Sequence, residues 1–233
     1  MSETAKINMA DMTFCFDLDG TLIDTAPDLV RVLNYLVEKE GLAPVPFQHA
    51  RNAVGYGARH LIELAYQDNG KDLPAETSDR LLAEFLTVYA NTIDELSRPF
   101  SGVVETLMRL KHVGAQLNIC TNKPGYLARP LMQKLGLSSL FTRIIGSDDA
   151  PAKKPDPRHI FCAAGHERVD HIIMVGDSLP DVKAAKNASV LSVMMSYGYS
   201  PIPVRGLGGD IILRDFREIP EAVTAHLRLK GSS

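Results

Sequence analysis

The sequence has few cysteines and no long hydrophobic run. Only three of its 233 residues are cysteine, and Cys15 and Cys120 lie inside short apolar stretches. Such sparse thiols favour reduced, structural cysteines over a disulfide framework. No apolar stretch reaches the roughly 20 residues of a membrane-spanning helix, and residues 1–11 lack the apolar middle of a signal peptide. We therefore expect a cytoplasmic protein without a membrane partner.

The sequence also lacks a large excess of positive or negative charge. The formal net charge is -3, and no run of lysine or arginine forms a local basic surface. We therefore expect no nucleic-acid partner. Hydrophobic residues make up 45% of the chain and charged residues 23%, which is typical of a folded protein rather than a disordered one.

Short apolar runs alternate with helical patterns along most of the chain. Residues 172–175 form such a run without polar alternation, as expected of a strand that helices bury on both faces. The alternation predicts an α/β protein whose core is a Rossmann-like parallel sheet. The predicted strands are residues 12–16, 116–120, 143–146, 171–175 and 190–195. Ligands of such sheets bind at the carboxyl ends of the strands, so polar residues there are candidates for a site.

A long stretch after the first predicted strand has helical patterns only. Its first helix is predicted to begin at Thr25-Ala26-Pro27-Asp28, which has capping-box spacing and an early proline. Further helical patterns cover residues 58–66 and 78–93. The stretch predicts an inserted all-helical cap domain. The expected division is a core of residues 1–24 and 97–233 with a cap of residues 25–96, hinged near residues 21–25 and 97–101.

Two carboxylates stand one residue apart directly after the first predicted strand, in Phe16-Asp17-Leu18-Asp19-Gly20-Thr21. Side chains at positions i and i+2 of an extended segment point to the same side, so Asp17 and Asp19 are placed to face one substrate. Gly20 permits a sharp turn after them. An ordinary turn is the alternative, because Asp, Gly and Thr are common turn residues.

Polar residues also follow the later strands. Thr121-Asn122-Lys123 offers donors suited to phosphate oxygens, or an ordinary turn. Lys153-Lys154-Pro155-Asp156-Pro157 places a cation before a proline-fixed helix start, although adjacent lysines are commonly solvated. Gly176-Asp177-Ser178-Leu179-Pro180-Asp181 offers carboxylates for a hard cation such as Mg²⁺, or a helix cap.

In their order and spacing these four elements resemble the haloacid dehalogenase-like phosphatases, over nearly the whole chain. Within that superfamily the stretches DLDGTLIDT, TNKP, KKPDP, GDSLPD and SYGY are most similar to the bacterial phosphoglycolate phosphatases. The resemblance implies an Mg²⁺-dependent phosphomonoester hydrolase that acts on 2-phosphoglycolate through an aspartyl-phosphate. Thr21 fits this reaction, since related mutases commonly have Val there. Asn187-Ala188-Ser189 departs from the family, in which a small residue and glycine more often end this helix.

The resemblance also implies roles for the acidic residues. Asp17 would attack phosphorus, and Asp19 would protonate the departing alkoxide and then deprotonate the hydrolytic water. Mg²⁺ would be held by the Asp17 carboxylate, the Asp19 backbone carbonyl and Asp177, with Asp181 in support.

Phosphate and substrate binding fall to other matching residues. The resemblance assigns Thr121 and Asn122 to the transferring phosphoryl oxygens and Lys154 to their charge. In the cap, Val54-Gly55-Tyr56-Gly57-Ala58-Arg59 matches the loop that faces the substrate in the family. Arg59 would bind a substrate carboxylate, or else be a solvated surface residue.

Several alternatives remain open from the sequence. GxxxxGK[ST] is absent and no GxGxxG follows a strand, so a nucleotide-binding module is disfavoured. A non-catalytic, receiver-like phosphate-binding protein would carry a similar acidic cluster. Among enzymes, the substrate could instead be a phosphosugar, a nucleotide or pyrophosphate. The expected partner is a small phosphorylated metabolite, and the protein is expected to be a monomer or a homodimer.

Overall fold

The computed structural model describes residues 8–230, and a parallel sheet forms its centre. The strands of this region are β1 (Thr13–Phe16), β2 (Ile23–Asp24), β3 (Arg98–Pro99), β4 (Gln116–Cys120), β5 (Arg143–Ile145), β6 (Ile172–Gly176), β7 (Leu191–Met195) and β8 (Ile211–Leu213). Six of them form one sheet in the order β5-β4-β1-β6-β7-β8, and every neighbouring pair is parallel. The predicted α/β fold class is confirmed.

Helices cover this sheet and fill the insertion after β1. In residues 8–230 they are α1 (Ala26–Lys39), α2 (Phe47–Ala53), α3 (Ala58–Asp68), α4 (Ala75–Asn91), α5 (Val103–His112), α6 (Gly125–Lys134), α7 (Pro157–Ala164), α8 (Leu179–Ala188) and α9 (Ile219–Lys230). None of the helices in this part of the chain combines the length and the apolar character needed to cross a membrane.

The sheet is buried on both faces because side chains alternate along β1. Phe14 and Phe16 pack on the side of α5 and α9, where Phe16 contacts the ring of Phe216 at a centroid distance of 5.8 Å. Cys15 points to the opposite side, towards Ile160 of α7. Burial raises the pKa of the free Cys15 thiol to about 12. The thiol is therefore protonated and structural at neutral pH.

The four helices α1 to α4 all lie between β2 and β3, which pair antiparallel as Ile23 with Pro99 and Asp24 with Arg98. The insertion is thus all-helical, as predicted, and the two strands fall within the expected hinges. The exact division of the chain into core and cap stays a prediction. Helix α2 was not predicted, because its sequence FQHARNA lacks the apolar spacing of an amphipathic helix.

The predicted capping box at Thr25 is wrong. The Thr25 side chain does not cap α1, and its hydroxyl donates to Asp19 Oδ1 at 2.7 Å. The Asp28 carboxylate instead accepts the backbone N–H of Leu96 and Ser97. The phenol oxygen of Tyr199 accepts the N–H groups of Thr25 and its neighbour at 2.7 and 2.9 Å. A residue distant in sequence thus satisfies donors that open the helix.

Candidate active site

Three carboxylates converge where β1 and β6 end. Asp17 directly follows β1 and Asp177 directly follows β6, which are neighbouring parallel strands. Asp181 lies in the first turn of α8. Each of the three offers a ligand oxygen, and these oxygens all lie within 4.8 Å of one another. The structure therefore brings together Asp17, Asp177 and Asp181, which the sequence predicted from two separate motifs.

Lys154 enters this cluster from the loop between β5 and α7. Its side chain is 1% exposed, and its Nζ lies 2.9 Å from Asp17 Oδ1 and 2.6 Å from Asp181 Oδ1. Burial alone would lower the pKa of Lys154, but the two carboxylates outweigh burial and hold that pKa above its usual value. The neighbouring Lys153 is exposed. Only one lysine of the pair therefore serves the site, and it stays charged.

In the described part of the chain, the three clustered carboxylates face a single buried cation, Lys154. Burial raises the pKa of Asp17 to about 6, although Lys154 opposes the shift. Burial, reinforced by the charges of Asp181 and Asp17, raises the pKa of Asp177 to about 8. A divalent cation would supply the missing charge, and carboxylate oxygens are the donors that Mg²⁺ prefers. The residues present therefore fit Mg²⁺.

Asp177 and Asp181 differ in the hydrogen bonds that their carboxylates accept. Asp181 accepts hydrogen bonds from Lys154 on Oδ1 and, on Oδ2, from the N–H and hydroxyl of Ser178 and the N–H of Asp177. The bonds on Oδ2 come from two neighbouring residues, so Asp181 holds these neighbours in place. Within residues 8–230, Asp177 accepts one such bond on each oxygen, from the Thr21 hydroxyl at 2.8 Å and from the Tyr199 N–H at 2.7 Å. Asp177 thus keeps lone pairs for a cation.

Glycines surround Asp177 closely. A Cβ on Gly20, which has a φ of +83°, would lie 2.7 Å from Asp177 Oδ2. A Cβ on Gly198 would lie 2.2 Å from the same oxygen. Both distances are shorter than any ordinary contact, so a side chain at either position would displace the carboxylate. The glycine after Asp19 therefore gives room to the Asp177 carboxylate as well as permitting the turn.

The Gly198→Ala variant is expected to lower activity by about 10- to 100-fold, the range for disturbing the support of a metal ligand. The added methyl group would displace the Asp177 side chain from its present position. Initial rates and the Mg²⁺ concentration for half-maximal rate would measure the effect. Gly206→Ala is the matched control, because its Cβ would meet nothing closer than 3.7 Å. Equal rates in the two variants would show that the space around Asp177 is unimportant.

Asp19 faces a cation that the sequence reasoning did not single out. Lys123 Nζ lies 3.1 Å from Asp19 Oδ1, and the lysine side chain is 5% exposed. The same Nζ donates to the hydroxyl of Tyr89 on α4 at 2.8 Å. Its position directly after Thr121-Asn122 was the one sequence signal available. The inserted helices thus contact the second carboxylate of the motif through one buried lysine.

The predicted phosphate-binding residues lie at the end of β4. Thr121 is buried, and its hydroxyl oxygen accepts the N–H of Lys123 at 3.1 Å. Asn122 donates from Nδ2 to the backbone carbonyl of Lys154 at 3.0 Å. This amide therefore fixes the loop that carries Lys154. Direct contact of Asn122 with phosphate stays a prediction.

The predicted substrate loop of the cap turns into a helix as expected. Gly55 lies in a 3-10 turn, and Gly57, with a φ of 93°, directly precedes α3. Arg59 donates to the Ser78 hydroxyl at 2.8 Å and to Asp79 Oδ1 at 2.7 Å. Both partners belong to α4, so these contacts hold the guanidinium within the inserted helices. The substrate-binding role of this loop stays a prediction.

Comparison with known proteins places the chain in a family. The model of the family described as haloacid dehalogenase-like hydrolase matches residues 14–195. A phosphoglycolate phosphatase of Caulobacter vibrioides is 45% identical, covering 95% of this chain and 94% of its own. An N-acetylmuramic acid 6-phosphate phosphatase of Pseudomonas aeruginosa is 33% identical, covering 79% of this chain and 81% of its own.

A solved structure agrees with these relatives. The crystal structure of a predicted phosphoglycolate phosphatase from Haemophilus somnus has a TM-score of 0.84 and 29% sequence identity, covering 91% of this chain and 98% of its own. The matches cover most of the chain, and they include the strands and loops that carry Asp17, Lys154 and Asp177. The chain belongs to the haloacid dehalogenase-like hydrolase family.

Proposed function

We propose that this protein is an Mg²⁺-dependent phosphatase that converts 2-phosphoglycolate to glycolate and phosphate through an aspartyl-phosphate on Asp17. The observation that carries the proposal is the position of the Asp17 carboxylate. One of its oxygens contacts Lys154 at 2.9 Å, and it shares a metal-sized cluster with Asp177. The relatives named phosphoglycolate phosphatase support the choice of substrate. A cytoplasmic location and the oligomeric state stay predictions.

The bound cation would supply the charge that lets an anionic nucleophile approach an anionic phosphate. Its proposed ligands are the carboxylates of Asp17 and Asp177 and the backbone carbonyl of Asp19, with Asp181 in support. The arrangement of donors around Asp177 supports this set, since Thr21 and the Tyr199 N–H fix its carboxylate from both sides. All of these ligands are oxygens, as Mg²⁺ requires.

The first half of the reaction transfers the phosphoryl group to the protein. An Asp17 oxygen forms a bond to phosphorus as the bond from phosphorus to the substrate's alkoxide oxygen breaks. Asp19 gives its proton to that oxygen, and glycolate leaves. Lys154 balances the charge that gathers on the phosphoryl oxygens, and the Thr121 hydroxyl donates to one of them.

The second half releases phosphate. Asp19, now deprotonated, accepts a proton from water, and the water oxygen attacks phosphorus. The bond between phosphorus and the Asp17 oxygen breaks, which restores the free carboxylate. Tyr89 of α4 holds Lys123 beside Asp19, so the inserted helices lie next to the carboxylate that moves both protons. This placement supports a cap that limits the access of bulk water.

Removal of divalent cations is expected to abolish turnover, because the negative cluster would then repel a phosphate dianion. Exhaustive chelation with EDTA, followed by dialysis and addition of Mg²⁺, tests this with p-nitrophenyl phosphate as substrate. Ca²⁺ should inhibit, because the larger ion tolerates higher coordination and engages both oxygens of the nucleophile. Full activity after chelation would contradict the metal assignment.

A panel of phosphate esters tests the substrate directly. We expect 2-phosphoglycolate to give the highest kcat/KM among small esters, measured as released phosphate. N-acetylmuramic acid 6-phosphate, a nucleotide and pyrophosphate represent the alternative substrates, and the first is the named substrate of one relative. A sugar phosphate ranking first would replace the proposed substrate while keeping the mechanism. Absence of turnover on every ester would favour a receiver-like binding protein.

The same panel tests Arg59. If this residue exchanges Asp79 for the substrate carboxylate, Arg59→Ala lowers kcat/KM for 2-phosphoglycolate by about 10- to 100-fold, the scale of one hydrogen bond to a charged group. Hydrolysis of p-nitrophenyl phosphate, which has no carboxylate, should change little. Arg80→Ala is the matched control, since Arg80 also lies on the cap and pairs with Glu40. Equal losses on both substrates would assign Arg59 to cap structure.

A further inference from the structure

The loop that follows β7, residues 196–199, is named the clasp here because it contacts both hinges of the insertion. Tyr199 is 2% exposed, and its hydroxyl donates to Asp24 Oδ1 at 2.6 Å. The same oxygen accepts the first N–H groups of α1. Tyr197 donates its hydroxyl proton to the Thr21 carbonyl at 2.7 Å and packs on Phe100, just after β3, at 4.5 Å.

The clasp also holds the proposed metal ligand. The backbone N–H of Tyr199 donates to Asp177 Oδ2 at 2.7 Å. Gly198 leaves no room between the clasp and the Asp177 side chain, because a Cβ there would lie 2.2 Å from the carboxylate. One residue, Tyr199, therefore touches Asp177 with its backbone and the start of the inserted helices with its side chain.

An arginine of the second inserted helix also contacts the clasp. Arg51 of α2 donates from Nη2 to the Tyr197 carbonyl at 2.8 Å. Its guanidinium carbon also lies 4.9 Å from the centre of the Tyr199 ring, within the range of a cation–π contact. Arg51 is partly buried and touches none of the three clustered carboxylates among its described contacts. The contacts that link Arg51 to the proposed metal site therefore run through the clasp.

We propose that Tyr199 and Arg51 are positioning residues that couple Mg²⁺ binding at Asp177 to the placement of the inserted helices. The inference rests on the metal site of the proposed function. Through the clasp, a cation that fixes Asp177 also fixes Tyr199, and Tyr199 fixes the start of α1. Coupling of this kind is reciprocal: the factor by which Mg²⁺ favours the clasped position of the helices is also the factor by which that position strengthens Mg²⁺ binding. Loosening the helices at the clasp therefore weakens the cation site.

Mg²⁺ binding to the full-length protein without substrate tests the coupling, measured by isothermal titration calorimetry. Tyr199→Phe keeps the ring and the N–H to Asp177 but loses the hydroxyl contacts with α1. Arg51→Met keeps much of the alkyl stem and loses the guanidinium. Each variant should weaken Mg²⁺ binding by about 10-fold, the lower end of the range for groups that support a metal ligand. Arg80→Met is the matched control, a cap arginine whose described ion pairs are with Glu40 and Glu84 and not with the clasp, and it should bind like wild type.

The Arg51 variant decides the outcome. If Arg51→Met binds Mg²⁺ within twofold of wild type, the coupling is overturned, even if Tyr199→Phe binds weakly. A lowered melting temperature with unchanged Mg²⁺ binding likewise overturns it, because that is the signature of a merely structural contact. At saturating Mg²⁺ we expect Arg51→Met to have the wild-type kcat, with a KM for 2-phosphoglycolate above the wild-type value. Wild-type protein that binds Mg²⁺ but hydrolyses no ester would defeat the proposed function and leave this binding test intact.

Discussion

Asp17→Asn is expected to lower kcat by more than about 10,000-fold, the scale on which enzymes lose activity with their nucleophile. An amide of nearly the same shape keeps the packing beside Lys154 but has no charged oxygen with which to attack phosphorus. Release of p-nitrophenolate and of inorganic phosphate would measure the loss. Intact-mass analysis after acid quenching should detect phosphoprotein in the wild type and none in the variant.

Asp19→Asn provides the comparison for this result. It should also lose turnover, because the amide cannot carry the proton to the alkoxide. It should still bind Mg²⁺, since the proposed ligand at this position is the backbone carbonyl, which the substitution leaves in place. More than about one per cent of wild-type activity in Asp17→Asn would remove Asp17 from the role of nucleophile. Wild-type turnover in Asp19→Asn would remove the acid and base role.

Lys154→Met is expected to lower kcat by about 100- to 1,000-fold, the scale of losing one preorganised donor to transition-state charge. Lys154 contacts both Asp17 and Asp181 from a fully buried position, so its loss also leaves two carboxylates without their cation. Breaking a buried pair by removing one partner costs about 3–5 kcal/mol in the free energy of unfolding. The variant should therefore melt at a lower temperature as well.

Lys153→Met is the matched control for this substitution. It changes the adjacent lysine in the same way, but that side chain is exposed. Its kcat and melting temperature should both stay near wild type. If Lys153→Met loses as much activity as Lys154→Met, the effect belongs to the loop and not to the buried ammonium group. Assays at saturating Mg²⁺ keep metal occupancy from contributing to the difference.

The parallel sheet and its acidic cluster were predictable because short-range signals determine them. Continuous apolar runs indicate strands buried on both faces, and polar residues that follow parallel strands meet at one edge. Asp17 and Asp177 each follow this rule, although they lie far apart in the chain, and the pattern at the two strand ends was sufficient to place them together. Lys154 lies in the loop that leads into α7, well past the end of β5, and its role was expected only from the family resemblance.

Contacts between elements distant in sequence could not be predicted from local sequence patterns. Thr25 has every local feature of a helix cap, yet the phenol of Tyr199 takes that role and the threonine hydroxyl turns to Asp19. The link from Tyr89 through Lys123 to Asp19 likewise depends on how α4 lies relative to the loop that follows β4. No spacing along the chain encodes such a contact, because packing of remote segments decides it.

The antiparallel pairing of β2 with β3 means that the chain enters the helical insertion and leaves it at adjacent points. Asp28 also ties the start of the excursion to its end through the N–H of Ser97. A different helical segment with closely spaced ends could therefore be grafted here without altering the strand order. The insertion could be exchanged as a unit, provided that the donor segment supplies counterparts of Arg51 and Tyr89.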